Sequence, residues 1–243
     1  LKEWGRKLVF KFVENFPALC FKKFLIIADL HIGFERELLK KGINIPSQTS
    51  KMLDEIRLIN KKVKKHKIII LGDLKHRIPF ASFREMREVP FFIKKLSEEF
   101  DKIYLIKGNH DGKIEKIIDN SNKIEIKKEM IIDKVAMIHG NAWLSKEAIE
   151  RCKFALMGHL HACFFYRDKL NIPNFKKCWI IGEIDKEKLI KSYPTKIKKV
   201  NISKVIVFPA FNRFFTGAQE KAGPILRCIK EREIVLTNLL KVR

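Results

Sequence analysis

The sequence predicts an α/β protein, and two observations carry that expectation. Short apolar runs rich in β-branched residues recur through the first two-thirds of the chain, and amphipathic stretches with helical spacing lie between them. Strand alternating with helix builds a sheet covered by helices. A third observation concerns polar residues: five short motifs of Asp, Asn, His and Gly each follow directly on one of the apolar runs. Ligands of open α/β sheets collect beyond the carboxyl ends of strands, so these motifs stand where a site would form.

The elements follow in order. Residues 24–28, 68–71, 103–106, 135–138 and 154–157 are continuously apolar and read as strands buried on both faces. Between them, 34–41 reads as a helix stopped by Gly42, and 47–65 as a longer helix with Ser47 as its cap. Residues 83–100 make a helix interrupted by Pro90, and 144–152 a short one. The last third is strand-like at 176–181, 204–208, 226–229 and 233–236, the final two forming a hairpin around Lys230-Glu231-Arg232. The basic segment 164–201, with Pro173 and Pro194, reads either as a rim or lid or as a solvated connection. No repeat or low-complexity linker divides the 243 residues, so one domain is expected over 1–243.

Hydrophobic content of 46% with 33% charged residues fits a water-soluble globular chain, and no apolar run approaches the about 20 residues a bilayer requires. Residues 1–12 alternate charged and apolar side chains and lack the apolar core of a signal peptide. Five cysteines without a Cys-x-x-Cys pair suggest reduced thiols and a cytoplasmic setting. Of these, Cys163 lies two residues past His161 and near a candidate site. The formal charge of +23 admits two readings. Basic side chains neutralise phosphates of a polyanion such as DNA or RNA. Abundant Lys and Ile, with Gln48 and Gln219 as the only glutamines, equally fit a heat-adapted, thermophilic composition.

The motifs are Asp29-Leu30-His31, Gly72-Asp73, Gly108-Asn109-His110-Asp111, His139-Gly140-Asn141 and Gly158-His159-Leu160-His161. Five of seven histidines fall inside them, and His76 follows Asp73 by three residues. A single histidine would read as a structural one, but the set reads as oxygen and nitrogen ligands for divalent ions. Two ions need a shared carboxylate, for which Asp73 is the candidate. Asp29 with His31, and His159 with His161, alternate so that both side chains of each pair can enter one site. Asn109 and His139 complete the shell, and Gly72, Gly108, Gly140 and Gly158 permit tight turns and close approach. Such a site activates a bridging water as hydroxide for in-line attack on phosphorus. His110 is the candidate proton donor to the leaving alkoxide, with Asp111 orienting its ring.

These motifs closely resemble those of the calcineurin-like metallophosphoesterases over residues 29–161. The resemblance implies a four-layer α/β/β/α sandwich of two mixed sheets flanked by helices. It implies that Asp29, His31, Asp73 and His161 hold one metal, and Asp73, Asn109, His139 and His159 the other, with His110 near the leaving group. Mn²⁺ is the usual activating ion, with Fe, Ni and Zn as alternatives. The segments Ala28–Gly33, Glu35, Lys41-Gly42, Pro46, Gly72–His76 and Pro209–Asn212 further resemble archaeal phosphoesterases and bacterial relatives associated with DNA ligase and helicase genes. That subgroup implies a phosphodiester substrate, DNA or RNA among the candidates, and DNA-repair or helicase-type proteins as partners. Phosphomonoesters, cyclic nucleotides and a non-catalytic scaffold role are the alternatives.

Four weaker features complete the reading. Lys75, His76 and Arg77 form a cationic loop beside Asp73, so that Lys75 or His76 contacts a substrate phosphate or His76 orients a ligand. Lysines 61, 62, 64, 65 and 67 end a helix, either solvated or touching DNA. Phe211, Phe214 and Phe215 either pack a core or stack on bases. Gly33 and Gly217 lack the spacing of a phosphate-binding loop.

Overall fold

The computed structural model describes residues 10–118, 122–216 and 223–242. Most of the 1–12 segment, together with Gly217 and Gln219, falls outside them. The first sheet is six-stranded and ordered by sequence: β1 (Phe10–Phe12), β2 (Leu19–Phe21), β3 (Phe24–Ile27), β4 (Lys67–Ile70), β5 (Lys102–Ile106) and β6 (Ile124–Lys127). β1 to β3 run antiparallel to one another, and β3 to β6 are parallel. The second sheet holds β7 (Glu129–Ile132), β8 (Val135–Ile138), β9 (Phe154–Met157), β10 (Cys163–Arg167), β11 (Pro173–Ile184), β12 (Lys204–Val207), β13 (Ile229–Leu236) and β14 (Lys241–Val242). Its order is β14-β13-β11-β12-β9-β8-β7, with β10 paired to β11. Within it β8, β9 and β12 are parallel.

Three cores define four layers. Between the sheets lie Leu19, Ile26, Ile69 and Ile106 from the first, against Val135, Leu156, Trp179 and Phe208 from the second. The outer face of the first sheet is covered by α2 (Thr49–Val63) and α3 (Phe83–Glu99), which bury Leu53, Ile56, Phe92 and Leu96. A smaller helix, α1 (Glu35–Lys40), stops before Gly42 as expected. The outer face of the second sheet is covered by α4 (Lys146–Arg151) and α5 (Lys186–Ser192) through Ala148, Ile149 and Leu189. This is the α/β/β/α sandwich of two mixed sheets. The continuously apolar runs are buried on both faces because each strand is sandwiched between a helix layer and the other sheet.

Several local expectations are corrected. Gln48, not Ser47, flanks α2; the Ser47 hydroxyl accepts the N–H of Thr49, the first helical residue, at 3.3 Å and donates to Glu88 at 2.8 Å. Pro90 does not interrupt α3, which runs through it. The missing N–H costs one helical bond, but Val89, Phe92, Ile93 and Leu96 keep one face in the core. Residues 226–228 form a 3₁₀ turn, and Lys230-Glu231-Arg232 lies inside β13 rather than at a hairpin. Charged residues on its exposed face imitate a turn in sequence, while Gly182 pairs with Arg232 and Glu183 with Glu231 to keep the backbone extended. The hairpin of that region joins β13 to β14. Residues 164–201 contain most of the β10–β11 hairpin, the inner half of β11 and α5.

Candidate metal centre

Each motif lies just beyond the carboxyl end of a parallel strand: β3 leads to Asp29 and His31, β4 to Asp73, and β5 to residues 108–111. In the second sheet β8 leads to His139, and β9 to His159 and His161. Because the sheets face each other, both sets of strand ends open on one cleft. The backbone there is not extended. Asp29, His31, Asp73, His159 and His161 have φ of 56°, 46°, 51°, 67° and 49°, the left-handed region that costs a residue with a Cβ about 1–2 kcal/mol. The i, i+2 pairs therefore enter the site from tight turns, not by strand alternation. Cross-links hold them: Asp29 N–H donates to Gly72 O at 3.2 Å, and His31 N–H to Asp73 O at 2.8 Å. Strain gathered at clustered Asp and His residues in this way is typical of functional sites.

Asp29, His31, Asp73 and His161 bring one ligand atom each within 4.8 Å of one another, as do Asp73, His139 and His159. Asp73 belongs to both sets. Two close approaches by glycine make this convergence sterically feasible: a Cβ on Gly108 would stand 2.1 Å from Asp73 Oδ1, and one on Gly158 2.6 Å from Asp29 Oδ2.

The chemistry of these donors fits divalent cations. His139 Nδ1 lies 2.8 Å from Leu71 O, so that nitrogen carries the proton. Its Nε2 is buried without a hydrogen-bond partner, 3.1 Å from Asp73 Oδ2. A bare imidazole nitrogen facing a carboxylate oxygen requires a second proton or a cation. His31 Nε2 lies 3.0 Å from His161 Nε2, a pair that can share one N–H or turn both lone pairs to a cation. Burial holds His31 well below the usual imidazole range, His159 down to about 4 and His161 down to about 3, which favours the neutral ligating form. Burial also pushes the Asp29 carboxyl up to about 8, and Asp73 adds to this while His139 opposes it. For Asp73, burial acts upward, but the facing His139 brings it below the usual carboxylate range. For His139, burial acts downward, and the facing Asp73 outweighs it to reach about 9. Cations among these groups would replace the protons that burial otherwise demands. The cluster fits a dinuclear divalent metal site.

The remaining expected residues divide. Asn109 is exposed beside His110, whose N–H donates to Asp73 Oδ1 at 2.9 Å. His110 is half-buried; its Nδ1 abuts the His76 carbonyl, and its Nε2 lies 4.0 Å from Asp73 Oδ2. Asp111 does not orient the His110 ring. It is fully buried and accepts N–H bonds from Leu74 at 2.9 Å, Lys75 at 3.3 Å and Gly108 at 2.9 Å, pinning the two ligand loops together. Lys75 does not face a substrate: it is fully buried, and its ammonium donates to the Arg77 carbonyl. His76 lies against the cluster, its Nδ1 3.2 Å from His31 Nδ1 and its Nε2 3.2 Å from Glu37 Oε1. Lys61 and Lys62 end α2, and Lys64 and Lys65 lead to Lys67 at the start of β4, the end remote from Asp73. Phe211 is core, whereas Phe215 stacks on His31 with ring centroids 4.1 Å apart.

Glu85 and Lys177 were not singled out in the sequence, and Asn212 only as the end of the 209–212 segment, without a role. Glu85 is fully buried and accepts from His76 N–H at 2.9 Å and Arg77 N–H at 2.6 Å. Its signal was the capping box Ser82-x-x-Glu85. Lys177 donates to the carbonyls of Ala210 at 2.5 Å, Phe211 at 3.3 Å and Asn212 at 2.8 Å. Asn212 in turn gives its N–H to Asp29 O at 3.2 Å and its side-chain amide to Leu30 O at 2.9 Å. No local pattern announces a lysine that bridges β11 to a loop thirty-odd residues away.

A family model described as calcineurin-like phosphoesterase matches residues 22–161, more than half of the chain. The chain therefore belongs to that family, and it is a metal-dependent phosphoric ester hydrolase. Among solved structures, the nuclease MPE of Pseudomonas putida is similar in fold, with a TM-score of 0.58 at 18% identity over 96% of this chain and 100% of its own. Yfce, a phosphoesterase from E. coli, gives a TM-score of 0.41 at 11% identity over 90% of this chain and 96% of its own. Among curated proteins no sequence match is found. No helix among the described residues is long and apolar enough to cross a membrane.

Proposed function

We propose that this protein is a dinuclear phosphodiesterase acting on nucleic-acid or nucleotide phosphodiesters. The observation that carries the reading is the pair of ligand sets sharing Asp73, with the unpartnered His139 Nε2 facing its carboxylate. Asp29, His31, Asp73 and His161 would hold one ion, and Asp73, Asn109, His139 and His159 the other, with Mn²⁺ the first choice and Fe, Ni or Zn the alternatives. Bound there, the ions would supply charge neutralisation at the phosphoryl oxygens and an activated water.

The chain's own residues do the rest. His110, held at Nδ1 by the His76 carbonyl, presents Nε2 toward the cleft to protonate the leaving oxygen. Exposed Asn109 stands beside it to contact the phosphoryl group. His76, ordered by Glu85 and Glu37, orients His31 and His110. Asp111 positions the loops that carry Asp73 and His110. The whole chain acts as one catalytic unit in a cytoplasmic setting, which the burial of four of the five cysteines as thiols supports. The Pseudomonas putida protein of similar fold is a nuclease, and this together with the +23 charge supports a nucleic-acid substrate. Kinship with the archaeal and DNA ligase-associated phosphoesterases, and with it DNA-repair or helicase-type partners, rests on the short subgroup motifs.

The test is hydrolysis of bis-p-nitrophenyl phosphate with added Mn²⁺, against a phosphomonoester and a cyclic nucleotide on one preparation. Turnover should vanish on chelation and in Asp73→Asn, and fall steeply in His110→Ala. Faster turnover of the monoester than of any diester would overturn the assignment.

A further inference from the structure

The outer half of the β10–β11 hairpin is paired only with itself. Residues 173–177 of β11 align with β10, whereas 178–184 align with β12 and β13 inside the sheet. On this projecting arm Phe165 pairs with Phe175 across the strands, ring centroids 5.2 Å apart, and both remain about half exposed, at 49% and 52%. The Arg167 guanidinium lies 5.9 Å from the Phe165 ring centre, and Lys176 lies 5.1 Å from that of Tyr166. Between Cys163 and Lys177 there are three cationic residues, Arg167, Lys169 and Lys176, and one acid, Asp168. That acid is engaged in the turn, accepting from Leu170 and Ile172 N–H at 2.9 Å each. The arm is thus an ordered, cationic surface with an uncovered aromatic pair.

Its orientation ties it to the metal centre. Side chains alternate along β11, so Phe175 shares a face with Lys177, whose ammonium grips the 210–212 carbonyls beside the Asp29 turn. Phe164, on the opposite face, packs against the core under α4 and α5. The strand β10 itself begins two residues after His161. Lys176 and Tyr166 lie on the Phe164 face, so the cation beside the exposed pair is Arg167. Exposed aromatic rings beside an arginine, next to a site for phosphoric esters, match the chemistry of unpaired bases on a polyanionic backbone. A duplex buries its base faces and offers nothing to stack.

We propose that the Phe165–Phe175 face of this hairpin is a stacking platform for single-stranded nucleic acid whose phosphodiester enters the metal centre. The proposal deepens the phosphodiesterase reading and rests on it. The test measures binding of a fluorescent oligothymidylate by anisotropy, with chelator present so that no cleavage intervenes. The Phe165→Ala/Phe175→Ala double variant should bind about tenfold or more weakly, as expected for loss of base stacking. Phe165→Tyr/Phe175→Tyr should keep wild-type binding, and a matched duplex should bind less tightly than the single strand. With Mn²⁺ restored, the alanine variant should hydrolyse bis-p-nitrophenyl phosphate like the wild type, since that substrate is too short to reach the arm. Unchanged oligonucleotide affinity in the alanine variant overturns the platform. So does equal loss on duplex, or binding to anionic phospholipid vesicles that alone depends on the two rings. If the wild type fails to hydrolyse the small diester, the phosphodiesterase reading fails instead, and the anisotropy result still decides the platform.

Discussion

Two glycine-to-alanine substitutions separate crowding at the metal centre from ordinary backbone strain. Gly108 lies outside the left-handed region, so alanine there meets no conformational objection. Its Cβ would nevertheless fall 2.1 Å from Asp73 Oδ1 and 2.6 Å from the Asp73 backbone nitrogen. Restoring ordinary contact at 3.4 Å moves the oxygen by about 1.3 Å and the nitrogen by about 0.8 Å. The carboxylate can rotate, but the nitrogen belongs to a turn held through Asp73 O by His31 N–H at 2.8 Å. Overpacking of this kind costs about 1–3 kcal/mol, or about 2–12 °C in melting temperature for a chain of this size. With Asp73 as the proposed shared ligand, displacing it by about 1 Å should cost turnover about 100-fold. Gly42 is the reverse case, with φ +80° and nothing within 4 Å of an added methyl. Gly42→Ala should cost about 1–2 kcal/mol of stability and leave metal affinity and turnover intact. Calorimetric Mn²⁺ titration, thermal melts and diester kinetics on both variants decide it. Wild-type metal affinity and turnover in Gly108→Ala would refute the convergence of these loops on Asp73.

Three further outcomes follow from the same contacts. Mn²⁺ at about 100 times its dissociation constant should add about 2.7 kcal/mol to folding, seen as a melting temperature about 5–11 °C above the chelated protein; identical melts would count against a metal centre. Lys177→Met removes the donor to three carbonyls, so it should cost about 1–3 kcal/mol and weaken metal binding about 10–100-fold through the Asn212 contacts to Asp29 and Leu30. Unaltered titration would show that the 210–212 loop holds itself. Burial pushes the Cys152 thiol up to about 11 and Cys178 up to about 12, and raises Cys20 and Cys228, whereas Cys163 is partly exposed. A thiol reagent at mildly alkaline pH should therefore modify one cysteine rapidly in the native protein and five after denaturation, with Cys163→Ser abolishing the fast phase.

The residues that gather in the cluster were legible because each sits at a strand end whose apolar run is itself unmistakable, as with the Ile68–Ile70 run before Asp73. How the backbone brings them together was not legible. Strand alternation is the natural reading of Asp29-x-His31, yet both residues adopt left-handed backbone, and only partners from β4, Gly72 O and Asp73 O, make that conformation worth its cost. Asp111 illustrates the same limit. Next to His110 it invites a role in orienting the ring, but its two oxygens face three backbone N–H groups from two loops. Lys75 reads as a cation for substrate until the fold seals it against the Arg77 carbonyl. In each instance the direction of the side chain was not legible, because direction is set by hydrogen bonds to residues distant in sequence. The hairpin arm shows the converse. Phe165 and Phe175 are ten residues apart in a basic segment with no motif, and they acquire meaning only when strand pairing sets them ring to ring on the face that carries Lys177, which holds the 210–212 carbonyls.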